Sequence, residues 1–216
     1  MPGRDFKTRF LKRAQRAGVK LLPQQIDQLE KYYDLLARWN PRVNLTALAL
    51  QPLTDSAVDR LLIEPLVAAK LIPDSPSDWM DLGSGGGSPA LPLKIVRPDL
   101  RLVMVEARSR KAAFLREAIR VLNLQSAAVE NVRFEELANR SLDPPQLVTV
   151  RALRPDKMLI DAVTRLLGPG GLLLLFHSAR TTLPALPGFQ IQQTIASGPG
   201  DDAARVTALR RIGQPI

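Results

Sequence analysis

Asp81-Leu82-Gly83-Ser84-Gly85-Gly86-Gly87 is the stretch whose reading decides the fold. Upstream of it, Trp79, Met80 and Leu82 read as the end of a buried parallel strand. Downstream, Leu91, Leu93, Ile95 and Val96 supply the apolar face of a covering helix. Between the two, glycines at 83, 85, 86 and 87 remove side chains and admit backbone angles that other residues resist. A strand that passes through bare backbone into a helix offers that backbone to a polar ligand, so a cofactor loop is expected here.

Outward from the loop, strands alternate with helices. Strands are expected at 78–82, 101–106, 126–130, 147–151 and 171–176, with helical segments near 89–96, 109–123, 133–139 and 156–167. Repeated strand–helix order implies an α/β fold with a doubly wound, mainly parallel sheet. Two further strands, 189–196 and 203–212, joined through Ser197-Gly198-Pro199-Gly200-Asp201-Asp202, are expected to close it as an antiparallel hairpin. The first 73 residues read instead as helical. Pro23 opens one helix, carried by Ile26, Leu29, Tyr32/Tyr33, Leu36 and Trp39 and expected to stop at Asn40-Pro41. A second apolar periodicity runs from Val58 to Leu71, broken at Pro65, up to the loop Pro73-Asp74-Ser75-Pro76. The expected division is therefore an N-terminal helical extension, 1–73, and a core, 74–216.

The chain has 216 residues, a net charge of +9 and no Cys. One substantial core is affordable at that length. No apolar run reaches the roughly 20 residues that cross a bilayer, and no apolar leader follows Met1, so a soluble cytoplasmic protein without a membrane partner is expected. Without Cys and with a single His, His177, a disulfide, a thiolate metal site and a Ser/His/Asp triad are not expected, and no metal is assigned. The positive charge points to a polyanion. It is concentrated at the start, where Arg4, Lys7, Arg9, Lys12, Arg13, Arg16 and Lys20 face one acid, Asp5. That segment reads either as a nucleic-acid-binding helix or as an amphipathic helix packed on the domain, its charges solvated.

In a doubly wound sheet, ligands bind beyond the carboxyl ends of the strands. Glu106, at the end of the second strand, is placed to accept hydrogen bonds from both hydroxyls of a ribose; an ordinary strand-end acid is the plain alternative. A nicotinamide dinucleotide uses similar devices but sets a pyrophosphate against a helix N-terminus, with Gly-x-Gly-x-x-Gly spacing. Here the third position of that motif, counted from Gly83, is Ser88, and counted from Gly85 it is Ala90. Asp81 would repel a pyrophosphate, whereas it can help hold a cationic amino-acid end, which favours S-adenosylmethionine.

The sequence resembles the class I methyltransferases and, more closely, the RsmG/GidB family, bacterial enzymes that methylate guanine N7 in 16S ribosomal RNA. Trp39-Asn40-Pro41-Arg42-Val43-Asn44-Leu45-Thr46 is similar to the family's Trp-Asn-x-x-x-Asn-Leu-Thr. Asp81 through Pro92 is similar to its Asp-x-Gly-Ser-Gly-x-Gly-x-Pro-Gly-x-Pro. Further matches are Arg110-Lys111 with Phe114-Leu115, Arg133-Phe134-Glu135-Glu136, and Arg151-Ala152. The likeness covers roughly residues 20 to 180. The chain departs from the pattern at Arg60-Leu61-Leu62-Ile63-Glu64, in place of His-x-x-Asp-Ser, at Pro89-Ala90 and at His177-Ser178.

The resemblance implies that Gly83, Ser84, Gly85 and Gly87 line the methionine half of S-adenosylmethionine, beside the cofactor role read for Asp81 from its charge, with Glu106 at the ribose and Phe134 with Glu135 at the adenine edge. Phe134 reads equally as core, and Glu135 as a helix N-terminal acid. Arg151 ends the fourth strand, where it can clamp a phosphate or base edge, or form a surface salt bridge. Asn44, with Asn40 and Thr46, offers polar groups to the cofactor or to a flipped base, and Asn40 reads also as a helix stop. Arg151 and Asn44 are thus the candidate catalytic residues, and Arg151 also a candidate cofactor contact. Asn40, Arg42, Arg108, Arg110 and Lys111 are the candidate RNA contacts. The expected partner is small-subunit ribosomal RNA or a 30S assembly particle, met by a monomer. A methyltransferase fold that only binds RNA, and a nicotinamide-dependent oxidoreductase, are the competing readings.

Overall fold

The computed structural model describes residues 2–74, 78–140, 143–152, 156–184, 186–196 and 204–213. Residues 75 and 76 of the expected seam and the expected hairpin turn at 197–202 lie outside them.

Seven strands form one sheet in the order β3-β2-β1-β4-β5-β7-β6: β1 (Asp78–Leu82), β2 (Arg101–Val105), β3 (Ala127–Glu130), β4 (Leu147–Arg151), β5 (Leu172–His177), β6 (Phe189–Ala196) and β7 (Arg205–Arg211). The first five run parallel. β7 pairs antiparallel with β5 and with β6, so the expected hairpin closes the sheet. The central strands are buried on both faces, which is why β4 (Leu-Val-Thr-Val-Arg) and β5 (Leu-Leu-Leu-Leu-Phe-His) are nearly continuous apolar runs. The helices are α5 (Ala90–Val96), α6 (Ser109–Leu122), α7 (Phe134–Leu137) and α8 (Lys157–Leu166). Strand and helix ends differ from expectation by one or two residues.

The N-terminal segment is helical: α1 (Pro2–Arg16), α2 (Pro23–Val43), α3 (Asp55–Val58) and α4 (Glu64–Ala68). Two expected breaks are absent. Asn40-Pro41 does not stop α2, which carries Pro41 inside its last turn at the loss of the amide that would bond the Ala37 carbonyl. The helix ends at Asn44, which takes a left-handed φ of 54° and returns its amide to the Asn40 carbonyl at 2.9 Å. Pro65 does not break the second helical stretch either. α3 runs into α4 through a π-turn at Asp59–Ile63, and a short 3-10 turn at Ala69–Leu71 finishes it. Widening the turn moves the Glu64 amide onto the Asp59 carbonyl. Pro65 has no amide to give, so the carbonyls of Arg60 and Leu61 are released from the helix.

α1 is a packed helix, not a free arm. Phe6, Phe10 and Ala14 are buried, with Phe6 stacked on Phe10 at 5.5 Å and tilted against Tyr33 at 5.4 Å. Lys7 bonds Asp27 at 2.7 Å, Arg9 bonds Asp55 at 3.1 Å, and Arg13 engages both Asp55 and Asp59. Lys12, Arg16 and Lys20 remain exposed. The buried faces of the N-terminal helices join one apolar cluster with Leu91, Leu93, Phe114 and Leu115 on the sheet's helical layer.

Candidate active site

The glycine loop folds back over the end of β2. The amides of Gly83 and Ser84 both donate to the Val105 carbonyl, at 2.9 and 3.1 Å, and the Gly87 amide donates to the Ser84 carbonyl at 2.7 Å. Gly83, Gly85 and Gly87 have φ of 71°, 52° and 84°, so the turn needs the left-handed region three times in five residues. Glu106, immediately after β2, reaches into this loop. Its Oε2 accepts from the Gly85 amide at 2.9 Å and its Oε1 from the Arg108 amide at 2.8 Å. Each oxygen keeps acceptor capacity beyond these bonds. Asn131 donates to the carbonyls of Glu106 and Ala107 at 2.8 and 3.1 Å and fixes this strand end.

Behind the loop lies Asp81, 1% exposed. Its Oδ1 accepts from the Thr149 hydroxyl at 2.5 Å, and Thr149 Oγ1 in turn accepts from the Trp79 indole at 2.9 Å. Its Oδ2 is buried and has no hydrogen-bond partner among the described residues. Burial pushes this carboxyl up to about 6, against the lowering effect of the Ser84 and Thr149 hydroxyls and Arg151.

From the other side, α2 presses on the loop. The buried Tyr32 hydroxyl donates to the Gly86 carbonyl at 2.7 Å, and burial pushes that phenol well above its ordinary range. A Cβ on Gly86 would stand 3.2 Å from the Leu45 carbonyl and 3.3 Å from Leu36, so glycine is what allows this approach.

Arg151, at the end of β4, joins the sheet to the π-turn. Its Nη1 donates to the released Arg60 carbonyl and to Ser88 Oγ at 3.0 Å, and its Nη2 meets Glu64 Oε2 at 2.6 Å. The Ser88 hydroxyl donates to the released Leu61 carbonyl at 2.9 Å. The guanidinium lies 4.6 Å from the centroid of the Phe176 ring. Burial brings Arg151 down to about 10 and raises Glu64, so the arginine stays cationic at neutral pH. Three of the five guanidinium hydrogens are engaged in these bonds, Nε has no partner among the described residues, and the salt bridge is buried, not on the surface.

These parts enclose a cleft of about 1050 Å³. The glycine loop, Glu106, Arg108 and Lys111 line it, as do Leu45 to Leu48, Arg60 and Leu61 from the N-terminal segment. Asn131 to Glu136, Arg151 and Ala152 complete it, Ala152 at a left-handed φ of 59° that non-glycine residues seldom adopt.

Of the residues singled out from sequence, Gly83, Ser84, Gly85, Glu106, Arg108, Lys111, Phe134, Glu135 and Arg151 line the cleft together. Asp81 and Gly87 are buried beneath it. Asn40 accepts from the Leu45 and Thr46 amides at 2.8 and 2.9 Å, which ties down two residues that line the cleft. Asn44 is exposed and does not line the cleft, its identity being suited to the left-handed helix end. Arg42 and Arg110 are exposed outside it. His177 bonds Thr207 at 2.9 Å, away from the cleft. Glu64, Ser88, Thr149 and Asn131 were not singled out. Two of them carried a signal: Thr149 is a polar residue inside the apolar run of β4, and Glu64 ends the stretch that departs from the family's pattern.

Residues 25–183 match the GidB family, described as rRNA small subunit methyltransferase G. The chain is 40% identical over 146 residues to the Ribosomal RNA small subunit methyltransferase G of Roseiflexus sp. (strain RS-1), a match covering 67% of this chain and 61% of that protein. It is 40% identical over 148 residues to the protein of the same name from Paracoccus denitrificans (strain Pd 1222), covering 68% and 74%. The chain thus spans less than two thirds of the Roseiflexus relative's length. Among solved structures, TrmN from Thermus thermophilus matches with a TM-score of 0.52 and 18% identity over 68% of this chain and 49% of that one. MtNAS in complex with MTA and tNA matches at 0.56 and 13% identity over 86% and 73%. At such identities the likeness carries the fold alone, a class I methyltransferase fold. The matched segment holds the glycine loop, Glu106 and Arg151, and with these relatives it establishes that the chain belongs to the GidB family of rRNA small subunit methyltransferases G.

Proposed function

We propose that this chain transfers a methyl group from S-adenosylmethionine to N7 of a guanine in small-subunit ribosomal RNA. The observation that carries the reading is the meeting of the Gly85 amide and the Glu106 carboxylate, 2.9 Å apart, at a cleft inside the segment that matches the family.

The residues fit such a cofactor. A Cβ on Gly85 would find nothing nearer than 3.7 Å, so the loop leaves open space there. Asp81 Oδ2 is an unsatisfied acceptor beneath the same loop, suited to a cationic amino-acid end reached directly or through water. Glu106 accepts the ribose hydroxyls, and Phe134 with Glu135 borders the adenine. When bound, the cofactor supplies a methyl group activated by sulfonium charge.

No His lines the cleft, and none is required, because guanine N7 carries an in-plane lone pair and loses no proton before attack. The task left to the chain is orientation, which can remove about 7–11 kcal/mol of barrier when near ideal. Arg151 serves that task as a strut. It holds Ser88 and the helix from Asp55 to Leu71 in place at the cleft wall. The N-terminal helices, residues 1–73, act as the cover of the cleft that the core, 74–216, provides.

The RNA is received on a cationic rim. Gln28 donates to the Leu122 carbonyl at 2.9 Å and Trp39 meets Phe114 at 5.8 Å, so α2 and α6 run antiparallel. Arg42 therefore comes to the same end of the pair as Arg108, Arg110 and Lys111. Three cations opening a helix are electrostatically unfavourable by themselves and suit a phosphate backbone.

The test is incubation with methyl-labelled S-adenosylmethionine and unmodified small-subunit RNA, followed by digestion to nucleosides. Label in N7-methylguanosine is expected. A protein that binds S-adenosylhomocysteine and RNA but leaves the RNA unlabelled is an assembly protein, and the proposal fails.

A further inference from the structure

We infer that Thr149, held by Trp79, is a positioning residue that locks the Asp81 carboxylate with Oδ2 free for the cofactor's ammonium group. The inference rests on the cofactor assignment above and adds to it two residues that do not line the cleft.

Donor chemistry fixes the direction of the chain. An indole nitrogen only donates, so Trp79 Nε1–H must give its proton to Thr149 Oγ1, at 2.9 Å. The Thr149 hydroxyl, with its acceptor side engaged, turns its own hydrogen to Asp81 Oδ1, at 2.5 Å. All three residues are buried: Trp79 and Asp81 at 1% exposed, Thr149 at 0%. β1 and β4 are paired in register, Trp79 beside Leu147 and Asp81 beside Thr149, so the sheet itself sets these distances. Oδ1 is thereby satisfied from within, and the carboxylate cannot turn without breaking the chain. Among the described residues Oδ2 is left as a buried acceptor with no partner, under a loop in which a Cβ on Gly85 would meet only the Gly83 carbonyl, at 3.7 Å.

The other groups that face Asp81 are Ser84 from the loop, Arg151 from β4, Glu106 after β2 and Tyr32 from α2. Ser84 lies close enough to act on the carboxyl, but its hydroxyl donates to the Asp81 main-chain carbonyl at 3.0 Å, and among the described residues none supplies a hydrogen bond to Oδ2. Because hydrogen bonds in such a chain polarise one another, a change at Oδ2 is felt at the Trp79 indole. Protonation or an arriving cation alters how strongly Oδ1 accepts, and Thr149 passes the change on.

That coupling gives a readout separate from catalysis. The protein has two Trp, and a Trp39→Phe variant leaves the Trp79 indole as the single indole resonance in a nitrogen-correlated proton NMR spectrum. It is expected to move as pH crosses about 6 in the ligand-free protein and again on addition of S-adenosylhomocysteine. Thr149→Ser is expected to keep both responses. Thr149→Val is expected to lose the pH response and to weaken S-adenosylhomocysteine binding at least tenfold, with cooperative unfolding retained. An indole resonance indifferent to pH, or wild-type affinity in Thr149→Val, overturns the inference. A protein that shows the pH response but binds no S-adenosylhomocysteine contradicts the cofactor assignment instead, so the two failures are distinguishable.

Discussion

Arg151 and Glu64 form an ion pair, Nη2 to Oε2 at 2.6 Å, with side chains only 11% and 6% exposed. The pair ties the end of β4 to the start of α4, across 87 residues of sequence. Removing one partner of a buried pair leaves the other charge without compensation, which costs about 3–5 kcal/mol. Glu64→Ala is expected to lose stability of that order in urea unfolding. Replacing both residues, as in Glu64→Leu with Arg151→Met, is expected to recover much of it, since no buried charge then remains.

Asp81 makes stability depend on pH in a defined direction. Its carboxyl is raised from 3.8 to about 6, so between those values the folded protein holds a proton that the unfolded chain has released. Stability without ligand is therefore expected to fall as pH rises from about 4 to about 6, by a contribution on the order of 3 kcal/mol. Affinity for S-adenosylhomocysteine should rise over the same interval, as the carboxylate becomes charged. Urea unfolding and calorimetric titration at several pH values check both trends, and Asp81→Asn should flatten them.

The loop glycines should separate by consequence. A Cβ on Gly87 would run into the Leu91 side chain and approach Leu115 within 3.3 Å, at a φ of 84°. Gly87→Val is expected to lower the melting temperature sharply or to prevent folding. A Cβ on Gly85 would meet only the Gly83 carbonyl, at 3.7 Å, and strain from its left-handed φ of 52° costs about 1–3 kcal/mol. Gly85→Val should therefore melt cooperatively while failing to bind S-adenosylhomocysteine, as calorimetry and thermal melts can establish together.

Arg110 is exposed outside the cleft, so its charge is expected to serve RNA alone. Arg110→Glu should weaken RNA binding and reduce the slope of log affinity against log salt by about one. S-adenosylhomocysteine affinity should be unchanged.

Much of this was legible in the sequence because it depends on local pattern. The glycine loop, the strand–helix alternation and the position of Glu106 follow from residues near one another, and β1, β4 and β6 fall where the apolar runs place them. The errors arose where the deciding partner is distant. Asn40 and Pro41 look like a helix stop, yet the helix runs past Pro41 and ends at the left-handed Asn44. Arg60 to Glu64 look like a departure from the family's pattern. In the fold they form a π-turn that frees carbonyls for Arg151 and Ser88 and supplies the carboxylate that compensates Arg151. A shift of hydrogen bonding by one residue has no local signature, and neither does a salt bridge across 87 residues. Arg151 itself was visible as a strand-end cation. Its bonds to Arg60, Ser88 and Glu64 were not, because those partners lie 91, 63 and 87 residues away in the sequence.

The most direct measurement is a single-turnover assay of methyl transfer to unmodified small-subunit RNA, comparing the protein with its Gly85→Val variant at matched RNA occupancy. Labelled N7-methylguanosine is expected from the unaltered protein and none from the variant. Absence of label with the unaltered protein, or an equal rate with Gly85→Val, would contradict methyl transfer at this cleft.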